Sequence, residues 1–175
     1  MMRLFIAIKL DNSLRAQAVE IQNALSAQKV GGNYTPRENL HLTLAFLGEY
    51  GDPDRVLDVM WSLPFTPFPL TMDRLGTFPE VFWAGFADNP ALEAVVRRLR
   101  RALAENGIPF DKKKFRAHVT LLRKPVFLQE RLLPIPAPRA QMTVSHITLF
   151  RSDRGKNGMI YTPLGTANAQ ADAFF

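Results

Sequence analysis

The chain has 175 residues, 47% of them hydrophobic, 22% charged and 10% aromatic, a composition that suits one folded domain and excludes a disordered or fibrous chain. It has no cysteine, which removes disulfides, thiolate metal sites and a cysteine nucleophile, and its net charge of +6 suits a polyanionic partner. The early apolar run from Leu4 to Ile8 is too short for a signal-peptide core or a membrane span, so a soluble cytoplasmic protein is expected.

In chain order, Arg3 to Lys9 reads as an apolar, extended strand. Asp11 or Asn12 then caps a helix that carries Leu14, Ala18, Ile21 and Leu25 on one face, and Gly31 and Gly32 are expected to stop it. Pro64, Pro67 and Pro69 give an extended entry into a later strand. Val81 to Ala87 predicts a second apolar strand, followed by Asp88 or Asn89 as cap and Pro90 in the first turn of a helix. That helix buries Leu92, Val95, Val96, Leu99 and Leu103 and ends near Asn106 and Gly107. Pro134, Pro136 and Pro138 precede a last strand, and the small, polar stretch from Thr166 to Ala173 is expected to be loose.

The two halves resemble each other. A gapless shift of 77 residues superimposes Phe5 on Phe82, Ala7 on Ala84, Asp11 on Asp88, Asn12 on Asn89, Val19 on Val96, His41 on His118, Thr43 on Thr120 and Leu44 on Leu121. Farther along it pairs Thr66 with Thr143 and Thr71 with Thr148. The expected organisation is a single domain over residues 1–175, built from two approximate units, 3–76 and 80–153.

All three histidines open the pattern His-x-Thr-Leu, at His41, His118 and His146. On a strand, residues two apart share a face, so each His projects beside its Thr while the intervening and following aliphatic residues point to the core. One such copy is ordinary for an alternating strand. The repeat separates the three: it carries His41 onto His118, whereas it carries His146 back onto Pro69. A pseudo-twofold arrangement therefore brings His41, Thr43, His118 and Thr120 to one central groove. His146 is expected to stay out of the chemistry, as a solvent-facing or half-buried histidine on a sheet edge.

Two imidazoles and two hydroxyls on one groove suit phosphodiester hydrolysis without a metal or other cofactor. In-line attack at phosphorus needs a base for the attacking water and an acid for the departing oxygen on the opposite side. Imidazole titrates near neutral pH and can serve as either. The threonine hydroxyls can donate to the non-bridging oxygens as charge builds. A metal site is the competing use of two histidines, but no Asp or Glu recurs beside both copies to complete one.

At these residues the sequence resembles the 2H phosphoesterase superfamily, and its flanks resemble the RNA 2′,3′-cyclic phosphodiesterase, or 2′-5′ RNA ligase-like, branch. The resemblance rests on the opening Arg3-Leu4-Phe5-Ile6-Ala7-Ile8, on Asn39 to Glu49 (NLHLTLAFLGE), on Phe115 to Arg123, and on Tyr161-Thr162-Pro163-Leu164. Ala117 stands where the family usually has proline before the second histidine. The resemblance implies a bilobal α+β fold, with two pseudo-symmetric units whose antiparallel sheets flank a central groove and whose helices lie outside. It implies His41 as proton donor to the leaving 3′-oxygen and His118 as proton acceptor from water, giving a 2′-phosphate end. It also implies a reverse, ATP-independent joining of RNA ends through a 2′-5′ linkage.

Lys112, Lys113, Lys114, Arg116, Arg123 and Lys124 cluster around His118, and Arg151 and Arg154 are expected to follow the strand of the third histidine; such charge suits RNA phosphates. Arg123 is the expected substrate contact, while Lys112 and Lys113 are read as solvated. Arg97, Arg98, Arg100 and Arg101 interleave with an apolar helix face and are read as its solvated side. Phe5 and Phe82 are expected in the core, with Phe46 and Tyr161 open to other roles. The partner is RNA or a nucleotide with a cyclic phosphate end, acted on by a monomer with no membrane or obligate protein partner. The alternative is a non-enzymatic basic RNA-binding module, which would bind RNA with the same salt sensitivity but leave the cyclic end unconsumed.

Overall fold

The computed structural model describes residues 1–170. Its elements are β1 (Met2–Lys9), α1 (Asn12–Ala27), β2 (Gly31–Tyr34), a 3-10 turn (Arg37–Asn39), β3 (His41–Tyr50), α2 (Pro53–Trp61), β4 (Phe68–Phe78), β5 (Val81–Phe86), α3 (Pro90–Glu105), β6 (His118–Val126), β7 (Ala140–Val144), β8 (His146–Gly155) and β9 (Gly158–Asn168). They form two antiparallel sheets, a four-stranded one in the order β3-β1-β8-β9 and a five-stranded one in the order β2-β6-β5-β4-β7. The expected α+β fold with two antiparallel sheets is observed.

The helices start where the sequence places their caps. The Asp11 carboxylate accepts from Leu14 N at 2.9 Å, and the Asn89 side chain accepts from Leu92 N at 3.0 Å, each satisfying an otherwise unpaired first-turn donor. Leu14, Ala18, Ile21 and Leu25 of α1 are buried, as are Leu92, Val95, Val96, Leu99 and Leu103 of α3. The end of α1 differs from expectation. Lys29 turns the chain out of the helix with a φ of 63°, and the two glycines already belong to β2. Gly32 is needed there for a different reason: at its φ of 130°, a Cβ would sit 2.7 Å from the Lys124 carbonyl oxygen on the adjoining β6.

The sequence units do not coincide with the sheets. β4, from the first half, pairs with β5, and β8, from the second half, pairs with β1. Each sheet therefore contains strands from both halves, which ties the two halves into one body with a shared core of Leu, Ile, Val, Met and Phe side chains. The last prolines lead into β7 before β8 begins, and Arg151 and Arg154 lie within β8. The stretch expected to be loose is ordered at its start: Thr166 to Asn168 belong to β9, and Gln170 N donates to the Phe65 carbonyl at 2.8 Å. Positions 171–173 of that stretch lie outside the described residues. Among the described residues no helix is long and apolar enough to cross a membrane.

Candidate active site

Strand register decides which side chains share the groove. Lys9 pairs with His41, Ala7 with Thr43 and Phe5 with Phe46, while Leu42 and Leu44 are fully buried on the opposite face. On the other sheet Gly85 pairs with His118, Trp83 with Thr120 and Val81 with Arg123, while Val119 and Leu121 are fully buried. Both pairings contain a bulge just after the threonine, between Ile6 and Ala7 in one case and between Phe82 and Trp83 in the other. An extra residue reverses the alternation of the strand beyond it. The bulge therefore turns Phe46 onto the face of His41 and Thr43, and Arg123 onto the face of His118 and Thr120.

The 77-residue shift holds on β3 and β6 but slips by one residue on the opening strands. Phe5 and Ala7 face the groove, whereas Phe82 and Ala84, their matches in sequence, face the core. The structural counterpart of Ala7 is Trp83, since each pairs with the threonine of its motif. Phe5 is buried as expected, but under the groove, in a small cluster with Ala7, Phe150 and the half-buried Tyr161. The indole of Trp83 lies between Gly76 and Gly85, where an added Cβ would come within 2.2 Å and 2.6 Å of its ring. Its buried Nε1 has no hydrogen-bond partner among the described residues.

Each histidine is held in the same way. His41 Nδ1 lies 2.6 Å from the Asn39 carbonyl and His118 Nδ1 lies 2.7 Å from the Arg116 carbonyl. A carbonyl oxygen can only accept, so Nδ1 carries a proton in both rings and Nε2 is the nitrogen left for the groove. In His41 that Nε2 lies 2.9 Å from Thr43 Oγ1. An aromatic edge packs against each ring, Tyr161 at 5.2 Å and 85° on His41, and Phe78 at 5.2 Å and 81° on His118. Phe5 adds a tilted contact to His41 at 5.0 Å. Burial pushes the pKa of His41 below its usual 6.5; the Asn39 carbonyl offsets part of this, and the positive charges of Arg123 and His118 add to the lowering.

Thr43 and His118, from different sheets, line one cavity of about 550 Å³ with Phe46, Phe78, Phe115, Arg100, Lys113, Lys114 and Arg116. Of its aromatic walls, Phe46 lies under the Arg3 guanidinium at 5.4 Å and Phe78 under that of Arg116 at 5.9 Å. Lys112 and Lys113 are exposed as expected, and Lys113 also lines this cavity. The solvated reading of Arg100 needs correction. Arg100 is half-buried: it donates to the Leu44 carbonyl at 3.1 Å and to the Lys113 carbonyl at 2.7 Å, so it fastens the basic loop to the strand that carries Thr43. Arg97, Arg98 and Arg101 are exposed as expected.

His146 is exposed, but β8 lies inside its sheet between β1 and β9, so the expected edge position is wrong. The residues the sequence reading missed are Asn39, Phe78, Trp83 and Arg100. Asn39 had a readable signal, a polar residue two before the histidine, and is buried with its side chain donating to the Met159 carbonyl at 2.8 Å. Among the described residues no group of three or more His, Cys, Asp or Glu side chains is placed to hold a metal ion.

Comparison with known proteins finds relatives over most of the chain. The model of the 2′-5′ RNA ligase superfamily matches residues 10–156. An RNA 2′,3′-cyclic phosphodiesterase of Thermotoga maritima is 31% identical over 93% of both chains, and that of Escherichia coli K12 is 32% identical over 93% of both. Among solved structures, Escherichia coli LigT complexed with 3′-AMP is similar with a TM-score of 0.82 at 28% identity, covering 96% of this chain and 98% of that one. A protein of Thermus thermophilus gives a TM-score of 0.86 at 28% identity, covering 98% of this chain and 100% of that one.

Proposed function

Because the chain belongs to the 2′-5′ RNA ligase superfamily, and within it to the RNA 2′,3′-cyclic phosphodiesterases, we propose that His41 and His118 open the cyclic phosphate by acid–base catalysis. The observation that supports this mechanism is the matched anchoring of the two rings, each with Nδ1 tied to the carbonyl two residues before it, which leaves Nε2 for the substrate. His118 Nε2 takes a proton from water, whose oxygen bonds to phosphorus. The bond from phosphorus to O3′ breaks, and His41 Nε2 gives O3′ its proton. The product is a 2′-phosphomonoester with a free 3′-hydroxyl. Thr43 and Thr120 donate to the non-bridging oxygens, and Arg123 supplies positive charge on the same face. With an RNA 5′-hydroxyl in place of water, the same steps form a 2′-5′ linkage.

Enzymatic membership of the family displaces the reading as a non-enzymatic RNA-binding module. A nucleoside 2′,3′-cyclic phosphate should be consumed at the full rate in excess EDTA, followed by chromatography. Loss of turnover in EDTA and its return with a divalent ion would replace this mechanism with a metal-assisted one.

The depressed pKa of His41 sets a pH dependence. As the acid, His41 must be protonated in the free protein for kcat/KM, so kcat/KM falls as pH rises through a midpoint below 6.5. A bound phosphodiester anion favours the imidazolium, so the corresponding fall in kcat moves to higher pH. Rate profiles at low and saturating substrate check this. A kcat/KM that keeps rising through that range would transfer the acid role away from His41.

A further inference from the structure

The third His-x-Thr pattern lies on the same sheet face as the first. Thr43 pairs with Ala7, Ala7 with Thr148 and Thr148 with Thr166, which makes one row across all four strands of the smaller sheet. Two residues along each strand, His41 pairs with Lys9 and His146 with Asn168. Both rows share the face of His41, since alternate residues project to one side. They run from the catalytic strand at one edge of the sheet to β9 at the other, across three strand spacings or about 14 Å.

The sheet pairing creates a real concavity. A cavity of about 140 Å³ is bounded by His41, Lys9, His146, Thr148, Thr166 and Tyr161 and shares no lining residue with the cavity that the basic loop lines. Lys9 and His146 are exposed, and neither pairs with a carboxylate among the described residues. The Thr148 and Thr166 hydroxyls lie 3.3 Å apart, a long contact that leaves hydrogen-bonding capacity for a ligand. Glu38 also borders this cavity. It repels an anion and accepts from a ribose hydroxyl, so a phosphate would sit toward Lys9 and His146.

We propose that this cavity binds the nucleotide immediately 5′ to the cyclic end, with its phosphodiester against Lys9 and His146 and its ribose toward the two threonines. The proposal rests on the assignment of His41 beside the leaving 3′-oxygen, which puts the terminal ribose at the mouth of this cavity. The aromatic and arginine surfaces around Phe46 and Phe78 are then left for the terminal base. His146 thus acts in binding rather than in proton transfer. The cavity makes the protein prefer an RNA end over a mononucleotide.

The test compares kcat/KM for a nucleoside 2′,3′-cyclic phosphate and for a dinucleotide ending in the same cyclic nucleotide. It is run with the unaltered protein, with His146→Ala, and with Lys9→Ala/His146→Ala. The ratio of dinucleotide to mononucleotide should fall about tenfold in the double variant, as for lost charge-assisted contacts to one phosphate, and by less in the single one. An unchanged ratio, with both substrates still hydrolysed, would overturn this inference and leave the proposed function standing. If the unaltered protein hydrolyses neither substrate, the proposed function fails, and this inference with it.

Discussion

His41→Ala and His118→Ala are each expected to lower kcat on a cyclic nucleotide by about a hundredfold or more, the scale for loss of a general acid or base. Neither ring is part of the apolar core, and both lie on the groove face, so the variants should keep the far-ultraviolet circular dichroism of the native fold. Because the two groups act in one step, the double variant should lose little more than either single one. A folded His41→Ala protein within a few-fold of native turnover would remove it from the reaction.

Arg100→Ala carries the second large effect. The guanidinium bridges the Leu44 carbonyl, next to Thr43, and the Lys113 carbonyl in the loop that precedes His118. Removing it leaves both acceptors without that donor and should cost about 2 kcal/mol in unfolding free energy, the scale for lost hydrogen bonds to a charged group. Phe110 and Phe115, which lie 5.9 Å and 5.7 Å from the guanidinium carbon, also lose their cation. The loop that lines the larger cavity would then be less well placed, so KM should rise about tenfold while kcat falls less. Arg100→Lys should restore only part of this, because one ammonium lacks the planar fork that reaches two carbonyls. Denaturant titration and steady-state kinetics check both effects. Native stability and KM in Arg100→Ala would return Arg100 to the solvated role its sequence position suggested.

The parts of the fold that were legible in the sequence are those set by local chemistry. Asp11 and Asn89 are cap residues wherever they occur before an apolar periodic run, and the helices begin there. His41 and His118 were legible because period-two spacing and an internal repeat act together. Arg123 could be placed near the second motif only by charge and resemblance, since counting by twos sends it to the core side of the strand. The bulge that turns it to the groove depends on pairing with β5, a long-range event. The opening strands carry an offset of their own, since Ala7 and Trp83 each pair with the threonine of their motif, which is why matching Phe5 to Phe82 puts a groove residue on a core one. Arg100 was misread for a related reason: helix periodicity reports which side of α3 it occupies, and the carbonyls it meets come from β3 and from the loop before β6. His146 was judged by its lack of a repeat mate, a criterion that says nothing about which strands flank β8.

The central claim is that the two histidines act on opposite sides of phosphorus, with O3′ as the leaving oxygen. It is tested most directly by phosphorus NMR of the product formed from a short RNA with a 2′,3′-cyclic end, in excess EDTA. Fixed positions for the acid and the base allow only one ribose oxygen opposite the activated water, so the spectrum should show a single 2′-phosphomonoester. A predominant 3′-phosphomonoester would contradict the claim, because O2′ would then be the leaving oxygen and the substrate would lie the other way round between His41 and His118.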